Sequence, residues 1–380
     1  MNNLSPAELK RLISTVFAPT EKDRTLLVVV DVPNTAVPDN HAWRDRRVMA
    51  HEWHGALRSV QNQLPLQTLK TLYYENVGSN NADLPEFCFE YDGSPQELHA
   101  AKLPSLGMSH PLKTVLAQSD IVLAPTEFSA TAPLKLLSKQ YGFRAATMPG
   151  FSREMIPALG LDYAKVHERV MFFKQKLDDA VAADVVLGHG DKEYSSSFDL
   201  RFREAHASSG LIHERGTAGN LPSGEAYIVP NEGEMETSRT EGLLPVQFGD
   251  EVVVFAIEQN HAIAVFTEGE KSDQQRRLLQ GEPAYGNVAE LGIGVLGEFG
   301  VTAVGSTLLD EKLGLHIAFG RSDHFGGNTG PSSFKDPKRV VHTDWVYVPT
   351  VQPKIQVREV KLSYGGKPDE IVMKDGEFLV

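Results

Sequence analysis

The chain has a single cysteine, Cys88, in 380 residues. That excludes an internal disulfide framework and any zinc site built on thiolates. Basic charge is also scarce: 37 Lys and Arg against 50 Asp and Glu leave a formal net charge of −13, which argues against nucleic acid or an anionic membrane as a partner. No apolar run of about 18 residues occurs, and the opening MNNLSPAELKRLISTVF has no apolar stretch followed by small residues, so neither a membrane span nor a secretory leader is expected. No G-x-G-x-x-G follows the first predicted strand, which argues against a dinucleotide site. GVLGEFG and FGGNTGP lack the Lys-Ser/Thr of a P-loop and read as turns. Internal repeats and low-complexity tracts are missing too. These absences suggest a reducing cytoplasm, with peptides or other soluble small molecules as partners.

The composition that remains, 41% hydrophobic and 23% charged, is that of a globular protein too long for one ordinary core. Two domains are therefore expected. In the first half, LLVVVDV (26–32), LKTLYYENV (69–77), SDIVLAP (119–125) and FRAATMPG (143–150) read as strands, with helices over 41–64 and 131–142 between them. Strands alternating with helices imply a doubly wound, mostly parallel sheet. The segment 162–187 reads as a helix running into a strand, with Val166, Val170, Phe173, Leu177 and Val181 on one buried face. Beyond it the chain turns to strands, glycines and turns. The boundary is placed near residue 188: an α/β domain over 1–187 and an α+β, strand-rich, metal-binding catalytic domain over 188–380.

Three stretches of the second half carry acids and imidazoles between small residues: NLPSGEAYIVP, GNVAELGIG, and DEKLGLHIAFG followed by VVHTDWVY. They supply Glu225, Glu290, Glu311, His316, His342 and Asp344. Carboxylates neutralise and bridge divalent cations while imidazole adds affinity for zinc-like ions, so this mixture suits one or two transition metals. In VVHTDWVYV, His342 and Asp344 stand two apart on a strand and face one side. Their other reading is a mutual hydrogen bond at a sheet surface. Glu290 lies among Val288, Ala289, Leu291 and Ile293, where an unpaired carboxylate is costly; it holds a metal, caps a backbone group or answers an arginine. Glu225 opens an apolar strand after Pro222 and Gly224. Glu311, next to Lys312, is either part of the same centre or a solvated loop charge. Asp323 and His324 read as surface loop residues or as groups behind the ligands. HEWH (51–54) has its histidines three apart rather than four and no downstream ligand, and is read as structural or surface.

Together NLPSGEAYIVP, NVAELGIG, DEKLGLHIAFG with its following GGN, and VHTDWV resemble the aminopeptidase T/aminopeptidase S family of metallo-aminopeptidases, in its leucyl aminopeptidase branch. The likeness extends through GFRAATMPGFSREMI, DYAKVHERV and the closing KDGEFLV, covering most of the chain from about residue 120. It implies a two-domain, homodimeric cytoplasmic exopeptidase with two divalent metal ions, usually zinc, cobalt or manganese. The six residues above then fall on the family's metal-binding positions, with Glu311 as ligand or general base and Glu290 shared between ligation and catalysis. One departure stands out. Many members carry a tyrosine shortly after the first metal histidine, whereas this chain reads GRSDHFGG; Tyr285, Tyr347 or His324 is left to replace it. A related branch resembles mononuclear iron(II) dioxygenases that cleave dihydroxypyridine rings. There a histidine stands at the position of Glu290 and the acid at Glu225 is lost, so this chain's two acids favour the hydrolase. Another metal-dependent hydrolase on the same fold is a further alternative.

Overall fold

The computed structural model describes residues 3–336 and 340–380. They form two compact units, Met1–His167 with Gly210–Ser223, and Glu168–Ser209 with Gly224–Val380. This division corrects the expected 1–187 and 188–380 in two places. Ala180–His189 does not close the α/β domain; it pairs antiparallel with Lys192–Asp199 and Gln356–Tyr364, whose ladders tie it to the second unit. A later segment returns to the first unit, because Ala218–Asn220 adds a parallel strand beside Arg144–Thr147. Strand pairing rather than sequence proximity decides where each segment belongs.

The first unit holds a seven-stranded sheet in the order Ala218–Asn220, Arg144–Thr147, Ile121–Ala124, Thr25–Val32, Thr68–Glu75, Phe87–Glu90, Met108–Pro111. The first five run parallel, Phe87–Glu90 runs against them, and Met108–Pro111 pairs antiparallel with Phe87–Glu90. The chain starts in Thr25–Val32 and winds out to one side, then to the other, as the alternation of strands and helices predicts. TLLVVVDV is apolar almost throughout because a parallel strand is covered on both faces, and every residue after Thr25 is buried. The helix His41–Val60 packs on this strand and its neighbour. It begins where the Asn40 side chain accepts from the Trp43 amide. Its HEWH segment is structural: Trp53 is fully buried and His54 Nδ1 lies 2.8 Å from Thr71 Oγ1.

The second unit is built from two antiparallel sheets. Eight strands run in the order His261–Val265, Glu251–Glu258, Glu241–Phe248, Lys192–Asp199, Ala180–His189, Gln356–Tyr364, Glu370–Lys374, Glu377–Phe378. Five run His342–Val346, Leu315–Gly320, Val288–Gly294, Glu225–Ile228, His206–Ser208. The helix Tyr163–Asp179 buries Val166, Val170, Phe173 and Leu177 as its spacing predicts. Val181 departs from that face: the period changes from helix to strand at Ala180, and Val181 is exposed. No helix among the described residues is long and apolar enough to cross a membrane.

Candidate metal centre

Alternation along the five-stranded sheet assembles the site. In an antiparallel ladder, residues directly opposite one another share a face. The register sets Glu225 opposite Gly294, Tyr227 opposite Gly292, Gly292 opposite His316, Ala318 opposite both Glu290 and Asp344, and Gly320 opposite His342. Glu225, Glu290, His316, His342 and Asp344 therefore share one face, interleaved with Gly292, Gly294, Ala318 and Gly320. The opposite face carries Phe319 and Trp345, whose rings lie 5.3 Å from Phe255 and 4.9 Å from Phe248 of the eight-stranded sheet. One face of each strand thus anchors the sheet while the other holds the polar groups. The small residues make room: a methyl group added at Gly292 would lie 2.0 Å from His316 Nε2.

Glu290 is the hub. Its Oε1 is 3.1 Å from His316 Nε2 and its Oε2 is 3.3 Å from His342 Nε2. His316 Nε2 also stands 3.6 Å from Glu225 Oε2, and His342 Nε2 stands 3.4 Å from Asp344 Oδ1. The His342 Nδ1–H donates to the Arg321 carbonyl at 2.7 Å, which fixes the ring and leaves Nε2 for the site. Burial pushes Glu290 upward, but hydrogen bonds and charge from His316 and His342 outweigh it and hold the carboxyl far below the usual range. Burial lowers the imidazoles, and the carboxylates overcome it: Glu290 and Glu225 carry His316 up to about 9, and Asp344 and Glu290 carry His342 well above its ordinary value.

Glu311 enters from the turn Glu311–Leu313 just before the His316 strand. The solvated-charge reading of this pair is overturned. Lys312 is 1% exposed, and its ammonium contacts both Glu225 Oε1 and Glu311 Oε1. Burial pushes Glu311 up, Lys312 opposes it, and the charges of Asp344 and Glu225 add to it, leaving the carboxyl at about 8. Glu290 faces imidazoles rather than an arginine. Asp323 turns to Arg321 at 2.5 Å, while the ring of His324 lies 5.5 Å from that of His342.

Two residues at the site carry no sequence signal. Lys312 is an ordinary Glu-Lys turn dipeptide until its burial is known. Tyr227 reads as a core aromatic in EAYI, yet it shares the site face with Glu225. Its ring stacks on His206 at 5.3 Å and meets Phe325 edge-on at 4.9 Å. Burial and the charges of Glu290, Glu225 and Glu311 hold its phenol well above the usual range, and therefore protonated. The proposed stand-ins for a tyrosine after His316 fare differently. Tyr347 donates to the Pro245 carbonyl at 3.0 Å, and Tyr285 packs on Phe334; only His324 borders the site.

The donor set fits divalent metal. Glu225, Glu290 and His316 offer ligand atoms within 4.8 Å of one another, as do Glu290, His342 and Asp344, and Glu290 is common to both groups. Glu225 Oε2 is buried without a hydrogen-bond partner. Ligation needs both imidazoles neutral; Glu225, Glu290 and Asp344 would then face one ammonium, Lys312, and a divalent cation would take the place of the two imidazolium charges.

No protein-family model matches the sequence, and no curated protein matches it. The class is defined by fold. The structure is similar to 2,5-dihydroxypyridine dioxygenase from Pseudomonas putida, at 15% identity and a TM-score of 0.60 over 99% of this chain and 98% of that one. It is also similar to AmpT from Thermus thermophilus, at 14% identity and a TM-score of 0.56 over 98% and 99% of the two chains. The chain shares this two-domain fold over nearly its whole length. Likeness at this identity shows the fold alone, so a functional reading has to come from the site.

Proposed function

We propose that this protein is a metal-dependent aminopeptidase that releases N-terminal residues from peptides at a dinuclear centre. The observation that carries the reading is the pair of carboxylate–imidazole triads sharing Glu290. Glu225, Glu290 and His316 would hold one cation and Glu290, His342 and Asp344 the other, a donor set rich in acids and suited to zinc, cobalt or manganese. Bound there, two such ions supply a water of lowered pKa and a Lewis acid for the scissile carbonyl.

The residues of the chain do the rest. Glu311 belongs to neither triad. Burial raises its carboxyl, cations bound beside it would favour the ionised form, and as a carboxylate it takes the proton from the attacking water as the C–O bond forms and returns it to the leaving amine as the C–N bond breaks. Tyr227, kept protonated by its acidic neighbours, is the neutral donor on the same face for the developing oxyanion. The excess of carboxylates favours a cationic substrate N-terminus, consistent with removal of one residue at a time.

Metal analysis together with turnover tests the reading. Purified protein reconstituted with zinc, cobalt or manganese should hold close to two ions per chain and cleave aminoacyl anilides. One iron per chain with oxygen consumed on a dihydroxypyridine, and no anilide cleaved, would replace it with the ring-cleaving reaction.

A further inference from the structure

The two triads differ in what already touches them. Lys312 is held in place by close packing of its own backbone, since a methyl group at Gly294 would lie 2.2 Å from the Lys312 carbonyl carbon. From there its buried ammonium contacts Glu225 Oε1 and Glu311 Oε1. One oxygen of Glu225 thus faces a permanent cation, and the other, Oε2, is the unpartnered atom 3.6 Å from His316 Nε2. Glu290, His342 and Asp344 have no such companion: among the described residues no ammonium or guanidinium pairs with Glu290 or Asp344. A divalent ion approaching Glu225 meets a carboxylate already partly neutralised and a like charge on its far side. In a buried setting that repulsion is weakly screened.

We propose that Lys312 makes the centre asymmetric, so that Glu290, His342 and Asp344 hold a divalent cation tightly while Glu225, Glu290 and His316 hold one more weakly. The second ion then loads and leaves with the external metal concentration, and Lys312 sets that threshold. The inference rests on reading these residues as a metal centre.

The test is titration of cobalt or zinc into metal-free protein, followed by calorimetry and by cobalt absorbance. Wild type should bind in two steps separated by at least about tenfold in Kd. The near-isosteric Glu225→Gln should remove the weaker step alone, and Asp344→Asn the tighter. Lys312→Met should strengthen the weaker step by about tenfold or more and move the tighter one by less than about threefold. Should Lys312→Met fail to fold, the order of loss in the other two variants decides. Two steps of equal affinity, loss of the tight step in Glu225→Gln, or an unmoved weak step in folded Lys312→Met overturns the asymmetry. Absence of binding by any divalent metal overturns the metal-centre reading itself.

Discussion

At Glu290 one carboxylate oxygen faces His316 and the other faces His342, at 3.1 and 3.3 Å, so no other side chain keeps both contacts and the charge. Glu290→Gln is expected to lower kcat/KM on aminoacyl anilides by about a thousandfold, roughly 4 kcal/mol of transition-state stabilisation, and to reduce bound metal after dialysis. Retained metal with unchanged turnover would remove Glu290 from the centre. Tyr227→Phe should leave metal content intact and lower kcat by about a hundredfold with little change in KM, as loss of a donor felt mainly in the transition state does. Gly292 is the third position where one atom decides. Its Ala variant places a methyl 2.0 Å from His316 Nε2, so the imidazole must leave its position. Metal affinity should fall, and stability should drop by about 1–3 kcal/mol in urea unfolding.

At the scale of elements, the strands provide the register and a loop supplies the orientation. His342 donates to the carbonyl of Arg321, at the start of a loop tied down by Glu232. Glu232 Oε1 accepts from Asn287 Nδ2 at 2.7 Å and Ser322 Oγ at 2.6 Å, and Oε2 accepts from the Asn328 amide and from Arg203 at 3.2 Å. Removing this buried carboxylate strands the Ser322 hydroxyl and the Asn328 amide, while Asn287 Nδ2 keeps the Gly320 carbonyl and Arg203 keeps Gly326 and Glu234, a loss of about 1–3 kcal/mol. Glu232→Ala should speed amide exchange across 321–330 and weaken metal binding at the His342 side, although Glu232 touches no ligand. Exchange unchanged in that loop would refute the link.

At the scale of the whole molecule, acid and metal act on different units. In the first unit, burial of Asp31 outweighs the Glu127 amide, Asn76, Arg46 and Trp43 that favour its charged form, and raises its pKa from 3.8 to about 6. A carboxyl raised on folding contributes stability that is complete below pH 4 and is lost as pH rises through 6. The wild-type advantage over Asp31→Asn in urea unfolding should therefore shrink by about 3 kcal/mol between pH 4 and 7; a constant difference would show that Asp31 does not titrate so. In the second unit, chelation should raise amide exchange in Glu225–Ile228, Val288–Gly294, Leu315–Gly320 and His342–Val346, the strands that carry the donors. The sequence by itself determined the element types. A lone imidazole in an apolar run, as in LGLHIAFG, and His and Asp two apart, as in VVHTDWVYV, mark strands, and the continuous LLVVVDV marks a covered parallel strand. Only tertiary structure decided which faces meet. Register between strands as distant in the chain as Glu225–Ile228 and Val288–Gly294 is fixed by packing against a second sheet, and so is the return of Ala218–Asn220 to the first unit. The same holds for Lys312 and Tyr227. Their roles follow from burial beside carboxylates that other strands bring in, and burial is a property of the packed surroundings rather than of the residue or its neighbours in sequence.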